Sequence, residues 1–468
     1  MGVTAKPGAA GSPLRVAIVG SGPAGFYGAG QLLNAPDLAV EVEMFDGLPT
    51  PWGLVRAGVA PDHPKIKSVS RVFEGIAGKP GFRFHGNVEV GVDVSHEELA
   101  SAHHAVIYAT GAPTDRRLGI PGEDLLGSHA ATEFVAWYNG HPDHAGHEFD
   151  LSAPRAVVIG NGNVALDVAR MLALTPAELA RTDTADHALE ALARSGVEEI
   201  VVLGRRGPAQ AAYTNRELLE LAEVADADVV VDPAEAALDE HSRAFLESDA
   251  SSLTEQRNVE IVADYAQRRP AGKRKRIVLR FLASPTEILG SEHVEGVRVA
   301  RNELTTELLA RPTGVTETIE AGLVLRSIGY RGTRIPGVPF DDRRATIHNH
   351  GGRVTVEGTS EPLPGIYTAG WIKRGPSGVI GTNKKCAHET VGLLLEDLSA
   401  GRLPEPTADP DQVLAAIAER GVDVVDYAGW EAVDAHERAI GELQGRPRVK
   451  LVRRAELLER AKAGPVAT

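Results

Sequence analysis

Short apolar runs that end in glycine turns and open helix-spaced stretches recur along the chain. Val16 to Val19 is followed by GSGPAG, Gly20 to Gly25, and then by a helical stretch from Phe26 to Leu33. A second strand-like run, Val40 to Phe45, ends at Asp46, 21 positions after Gly25. After a long loop, Ala105 to Tyr108 predicts another strand, ending in ATG. The pattern restarts at Ala156 to Ile159, which leads into GNGNVA, Gly160 to Ala165, and a helix from Val164 to about Leu174 that stops before Pro176. A helix over Ala185 to Arg194 and strands over Glu199 to Leu203 and Leu323 to Ser327 extend this second unit. GIYTAGW, Gly365 to Trp371, ends like ATG in a small-residue turn and is expected to return to the first sheet. A helix from Lys384 to about Leu398, stopped by Gly401, precedes a proline-rich linker (Leu403 to Pro410) and a helical tail.

This order predicts an α/β protein with two Rossmann-like dinucleotide-binding domains, the first of them discontinuous. The expected boundaries are 1–112 and 331–468 for the first domain and 113–330 for the second. A strand, a glycine turn, a helix and a later acidic residue supply the full context that the dinucleotide fingerprint needs. Gly20 allows the tight turn, Gly22 lets backbone approach a pyrophosphate, and Gly25 lets helix and strand pack closely. Asp46 can accept hydrogen bonds from ribose hydroxyls. In the second fingerprint Gly160 and Gly162 take the same parts, and Ala165 is small enough for the third.

Length and composition fit this picture. The chain has 468 residues, 43% hydrophobic and 24% charged, enough for about two to three packed domains. Its single cysteine, Cys386, excludes an internal disulfide, an iron–sulfur cluster or a dithiol redox pair, so redox work falls to bound cofactors. No metal site is expected. A net charge of -15 argues against nucleic-acid binding. The opening MGVTAKPGAAGSP has no apolar leader core, and no apolar stretch reaches the roughly 20 residues of a membrane span, so a cytoplasmic protein is expected.

The two sites are expected to hold different dinucleotides. Gly378, Val379 and Ile380 open a helix where the chain returns to the first domain, and their N–H groups would stabilise negative charge on a flavin, which favours FAD there. Lys384 and Lys385 in that first turn would oppose the helix dipole. In the second unit VVLGRRGP places Arg205 and Arg206 after the strand. A guanidinium pair suits a 2′-phosphate, which favours NADP(H) over NAD(H). His63 in PDHPKIK and Glu217 and Glu220 in NRELLEL are weaker candidates, since a loop histidine can simply cap the following helix and the glutamates can form a solvated helix face.

LPTPWGLVRAGVAPDHPKIK, GNGNVALDVAR, GRRGP and GWIKRGPSGVIGTNKK together closely resemble the adrenodoxin reductase-type ferredoxin-NADP reductases, including bacterial members. The resemblance runs from about Arg15 to Lys385 and reappears at GRPRVKL near Arg446. It implies FAD contacts from Ala24, Asp46, Leu54, Val90, Trp371 and Gly378 to Ile380. It implies NADP contacts from Asn161, Gly162, Asn163, Val164, Arg205, Arg206, Glu217 and Gly378, and it puts His63 and Glu220 near the flavin and nicotinamide. Asp46 departs from the glutamate frequent in relatives, and Arg216 stands beside Glu217 where relatives carry an apolar residue. The implied partner is a ferredoxin-type iron–sulfur protein. A basic island of Lys373, Arg374, Lys384 and Lys385 would attract it, and a second short basic run spans Lys273 to Arg276. Two alternatives stay open at this stage: an electron-input subunit of a larger complex, and a non-catalytic dinucleotide-binding sensor.

Overall fold

The computed structural model describes residues 6–464, so the first five residues of the opening segment lie outside it. A seven-stranded sheet carries the first fingerprint, in the order Asn349–His350, Arg353–Thr355, Pro362–Thr368, Ala105–Tyr108, Leu14–Val19, Val40–Asp46 and Phe82–Gly86. Its last five strands are parallel, and Pro362–Thr368 pairs with Ala105–Tyr108 as the return of GIYTAGW predicts. The first sheet is therefore discontinuous in sequence. Leu14, Val16 and Ile18 face one buried cluster and Ala17 and Val19 another, so this interior strand is covered on both faces and reads as unbroken apolar residues from Val16 to Val19.

The second sheet has six strands, in the order Ser128–Ala130, Leu323–Arg326, Arg155–Ile159, Glu199–Leu203, Lys275–Arg280 and Ala227–Val231. The fingerprint strand Arg155–Ile159 lies between two parallel neighbours. An antiparallel three-stranded sheet of Ala283–Leu289, Gly296–Leu304 and Ala310–Glu320 packs on it, an element the apolar pattern did not single out. Its outer strand is exposed over almost its whole length, so it lacks the two-residue alternation that marks a half-buried strand.

Two expectations change. The helix expected from Lys384 spans Ile380–Ser399, so Lys384 and Lys385 lie in its second turn, where the N-terminal dipole is weaker. The tail, which offers no motif, packs back onto the loop after the first fingerprint. Trp430 meets Trp52 edge-on at 4.8 Å, and buried Glu437 takes both terminal nitrogens of Arg56 at 2.6 and 2.8 Å. Lys450 reaches Asp183, which Lys67 also binds, so the tail ties the loop to the second unit. No helix among the described residues is long and apolar enough to cross a membrane.

Candidate active site

Each fingerprint ends its strand in a glycine at positive φ, Gly20 at 104° and Gly160 at 139°. A Cβ on Gly20 would stand 2.5 Å from the Ala109 carbonyl oxygen, and one on Gly160 would stand 2.0 Å from that of Ser327. Gly25 is equally constrained, its Cβ position lying 2.1 Å from the Gly20 oxygen. Gly22 and Gly162 are different. Each is the N-cap of an 11-residue helix, Pro23–Leu33 or Asn163–Ala173, with ordinary extended backbone and no side-chain cap. Among the described residues, nothing beyond the chain neighbours lies within 4 Å of a Cβ at either position. Two helix N-termini therefore present free N–H groups to open space, the arrangement that receives a pyrophosphate.

Around the first fingerprint the expected flavin contacts converge. Asp46 ends its strand and accepts from the Ser21 N–H at 2.8 Å, the Ser21 hydroxyl at 2.5 Å and the Leu48 N–H at 2.9 Å. Burial raises its pKa against these hydrogen bonds. About four acceptor positions on a carboxylate leave one for a ribose hydroxyl, fewer than the sequence reading assumed. The Val88 N–H donates to the Asp46 carbonyl at 2.9 Å, which brings half-buried Val90 to the same end of the sheet. Gly53 at φ 49° backs onto Gly22, placing Leu54, 39% exposed, beside the turn. Gly370 packs against Ala24 and delivers Trp371, whose indole N–H donates to the Ser377 carbonyl at 3.2 Å. Gly378 has φ 78°, and Val379 is the exposed N-cap of the helix that begins at Ile380. Trp52 Nε1 and Thr110 Oγ1, both buried beside this turn, have no hydrogen-bond partner among the described residues. Such unmatched donors fit a bound group rich in acceptors.

The second fingerprint organises the other half. Asn163 Oδ1 accepts from the Thr214 N–H at 2.8 Å, and Thr214 caps the helix Asn215–Glu220 that carries both candidate glutamates. Val164 is partly buried against the second core, and the Asn161 carbonyl accepts from the Ala212 N–H at 2.9 Å. Gly204 fits closely against the Asn161 side chain, which holds Arg205 and Arg206 next to the turn. Neither arginine makes an ion pair among the described residues; Arg206 donates only to the Gln210 carbonyl at 3.3 Å. Partial burial and the neighbouring Arg205 charge push the Arg206 pKa down, the signature of an unmatched cationic pair.

Between the two fingerprints His63 Nε2 lies 2.8 Å from Glu220 Oε2, both atoms buried and not aligned as a hydrogen bond. Glu217 Oε2 is 3.8 Å from the same imidazole nitrogen. Arg170, absent from the expected site, binds Asp62 at 2.6 Å, Asp167 at 2.7 Å and Glu217 more weakly at 3.4 Å. His63, Asp167 and Glu217 each bring a ligand atom within 4.8 Å of the others, but the Arg170 guanidinium already supplies the counter-charge a cation would. With Arg170 committed chiefly to the two aspartates, burial and then the Asp167 charge push Glu217 up to about 8. Below 4.5 the carboxyl is neutral folded or unfolded. Between 4.5 and about 8 only the unfolded chain gives up the proton, so stability falls as pH rises through that window. Glu217→Gln keeps the neutral form, so its Tm should gain steadily on that of the parent from pH 5 to 8 in parallel melts. A constant gap would mean that Glu217 is ionised throughout.

The expected basic island is only partly exposed. Lys373 is turned inward toward Thr390, and Arg374 is half-buried, while Lys384 and Lys385 face solvent. The Lys273 to Arg276 run is structural, with Lys275 buried and donating to the Leu172 carbonyl at 2.6 Å.

Residues 14–201 match the family described as Pyridine nucleotide-disulphide oxidoreductase. The chain is 51% identical over 463 residues to the NADPH-ferredoxin reductase FprA of Mycobacterium tuberculosis, covering 95% of this chain and 98% of that one. The chain belongs to the adrenodoxin reductase-type family of ferredoxin-NADP reductases. The FprA of Mycobacterium leprae is 52% identical over 455 residues (95% and 97% covered), and the mitochondrial NADPH:adrenodoxin oxidoreductase of Arabidopsis thaliana is 40% identical over 465 (96% and 95%). The solved structure of Mycobacterium tuberculosis FprA in complex with NADPH superposes with a TM-score of 0.90 at 50% identity, covering 96% of this chain and all of that one. In this reductase family, then, the two open glycine N-caps sit on an α/β scaffold already seen with NADPH bound to a relative.

Proposed function

We propose that the protein is an FAD-dependent ferredoxin-NADP reductase that moves electrons between NADPH and a ferredoxin-type iron–sulfur protein. The observation that supports this best is the asymmetry of the two open glycine turns. One stands beside a carboxylate suited to a ribose, the other beside two arginines that no carboxylate among the described residues neutralises. Residues 1–112 and 331–468 would form the FAD domain and 113–330 the NADP domain. Gly20, Gly22, Ala24, Gly25, Asp46, Leu54, Val90, Trp371 and Gly378 to Ile380 would hold FAD. Gly160 to Val164, Arg205, Arg206, Glu217 and Gly378 would hold NADP(H).

A flavin held by these residues would supply the conversion between hydride and single-electron transfer that the reaction needs. The chain's own groups position the rings, exclude water and manage protons. His63 Nε2 and Glu220 Oε2 stand 2.8 Å apart, so a rotation of the imidazole that aligns them would let the pair share a proton between the buried cleft and the half-buried Glu220 surface. Arg216 binds the other Glu220 oxygen at 2.8 Å, so that carboxylate is held charged, its pKa lowered although burial opposes it. No side-chain nucleophile is required. The same reading puts the enzyme in the cytoplasm.

NADPH-driven reduction of cytochrome c at low salt, with and without an added ferredoxin, tests the reading. Strong stimulation by ferredoxin is expected. Flavin reduction by NADPH without stimulation would favour an electron-input subunit with another acceptor, and binding without any turnover would favour a sensor.

A further inference from the structure

Where the tail crosses back onto the second unit, one buried carboxylate faces two lysine ammoniums. Asp183 lies in the loop between the helices Pro176–Leu179 and Asp186–Ala193. Both of its oxygens accept from Lys67 Nζ, at 2.7 and 2.8 Å, and Lys450 Nζ stands 3.2 Å from one of them. Lys450 also donates to the backbone carbonyls of Asn139, at 3.0 Å, and Arg56, at 3.3 Å. Four residues earlier, Arg446 donates to the carbonyls of Thr182 and Thr184, so residues 446–450 form a strap across the junction. Burial opposes the Asp183 charge, but the Lys450 and Lys67 ammoniums hold its carboxyl well below the usual carboxylate range. An apolar packing of the same volume would often be as stable, so the stability of the fold does not by itself call for this cluster.

We infer, resting on the reductase reading above, that Asp183 and the strap 446–450 are positioning residues for hydride transfer, holding the flavin-side loop of His63 against the nicotinamide-side unit. Domains of one chain move relative to each other unless their interface is large and apolar. Here polar contacts fasten both ends of one loop. Lys67 lies one helical turn beyond His63, its N–H donating to the His63 carbonyl at 3.2 Å, so fixing Lys67 fixes His63. Arg56, two residues beyond Leu54, is held by Glu437 and Lys450 of the tail. On the other side of the junction Leu179 and Ala188, which flank Asp183, share a buried core with Leu166 and Ala169 of the second fingerprint helix. The loop is thereby locked to the helix that would receive the nucleotide, and the 2.8 Å approach of His63 to Glu220 is a distance across that junction. Arg170 grips Asp62 just before His63, and Asp183 grips Lys67 just after it. Hydride transfer needs the two rings held near contact, and a misplacement of about 1 Å caused by a remote change can cost about a hundredfold in rate.

Lys450→Met in the full-length, FAD-loaded enzyme tests this, since it leaves Asp183 and Lys67 as a balanced pair while freeing the strap from them. Stopped-flow reduction of the flavin by NADPH should show a limiting rate lower by about tenfold or more, with the Kd for NADPH and the flavin content unchanged. The long-wavelength charge-transfer absorbance of reduced flavin stacked on NADP+ should weaken, which a loss of stability alone does not produce. Hydrogen exchange at Val449 and Leu451, whose N–H groups donate to Glu437, should quicken. An unchanged limiting rate and absorbance band overturn the inference whatever the exchange does, and leave the cluster a structural joint. A raised Kd for NADPH at an unchanged limiting rate also overturns it, assigning the strap to nucleotide binding. Should Lys450→Met give no folded flavoprotein, Arg446→Met is read the same way, because it frees the strap from the Thr182 and Thr184 carbonyls and keeps Asp183 with both lysines. If NADPH does not bleach the flavin of the parent enzyme, the reductase reading itself fails, and the inference falls with it.

Discussion

Arg205→Ala should raise the KM for NADPH ten- to a hundredfold and leave the KM for NADH nearly where it was. Arg205 is exposed, follows the second fingerprint's neighbouring strand, and has no ionic partner among the described residues. Its removal therefore leaves no buried carboxylate stranded, and folding should be little affected. What is lost is a charge-assisted contact to the one group that separates the two nucleotides. Such a contact contributes roughly 1.5 to 3 kcal/mol, and each 1.4 kcal/mol is about tenfold. Arg206→Ala should do the same more weakly, since that guanidinium is partly held by the Gln210 carbonyl. Equal losses for NADPH and NADH in steady-state kinetics would show that the pair shapes the loop and does not read the phosphate.

Those arginines were legible because local order announces them: a strand, a glycine, then two cations in sequence. The fingerprints, Asp46 and the return of GIYTAGW to the first sheet were legible for the same reason, since each depends on neighbours within one strand–turn–helix unit. Arg170 was not. It lies on the buried face of the fingerprint helix, and its partners Asp62 and Glu217 come from segments 108 and 47 residues away. No periodicity links such residues. The tail is a sharper case, because Arg56 and Glu437 are 381 positions apart and meet only once the chain is folded. The early start of the helix Ile380–Ser399 was hidden by Gly378 and Gly381, which read as loop; Gly378 is the left-handed turn before it, and Gly381 sits in the first turn. Lys373 shows the reverse error, where a charge counted as surface is turned inward onto Thr390.

Gly22→Val and Gly162→Val should each leave a folded protein and abolish one cofactor apiece. The backbone at Gly22 has φ -77° and at Gly162 φ -124°, conformations valine adopts readily, and the residue before Pro23 already favours that region. Beyond the chain neighbours, the described residues put no atom within 4 Å of the added Cβ at either site. Whatever demands glycine there must come from a ligand. Valine would fill the space above the helix N-terminus and displace the pyrophosphate from the free N–H groups, a loss on the order of a hundredfold in affinity, or about 2.8 kcal/mol. Gly22→Val should therefore purify without flavin yet still bind the 2′-phosphate nucleotide, while Gly162→Val should keep its flavin absorbance and lose its response to NADPH. Gly25→Val is the contrasting variant. Its Cβ would stand 2.1 Å from the Gly20 oxygen, so it should fail to fold as well as fail to bind. Calorimetric melts together with flavin content separate the two outcomes. If Gly22→Val kept its flavin, the open space at that N-cap would not be the pyrophosphate site, and the reading of the first fingerprint would have to be abandoned.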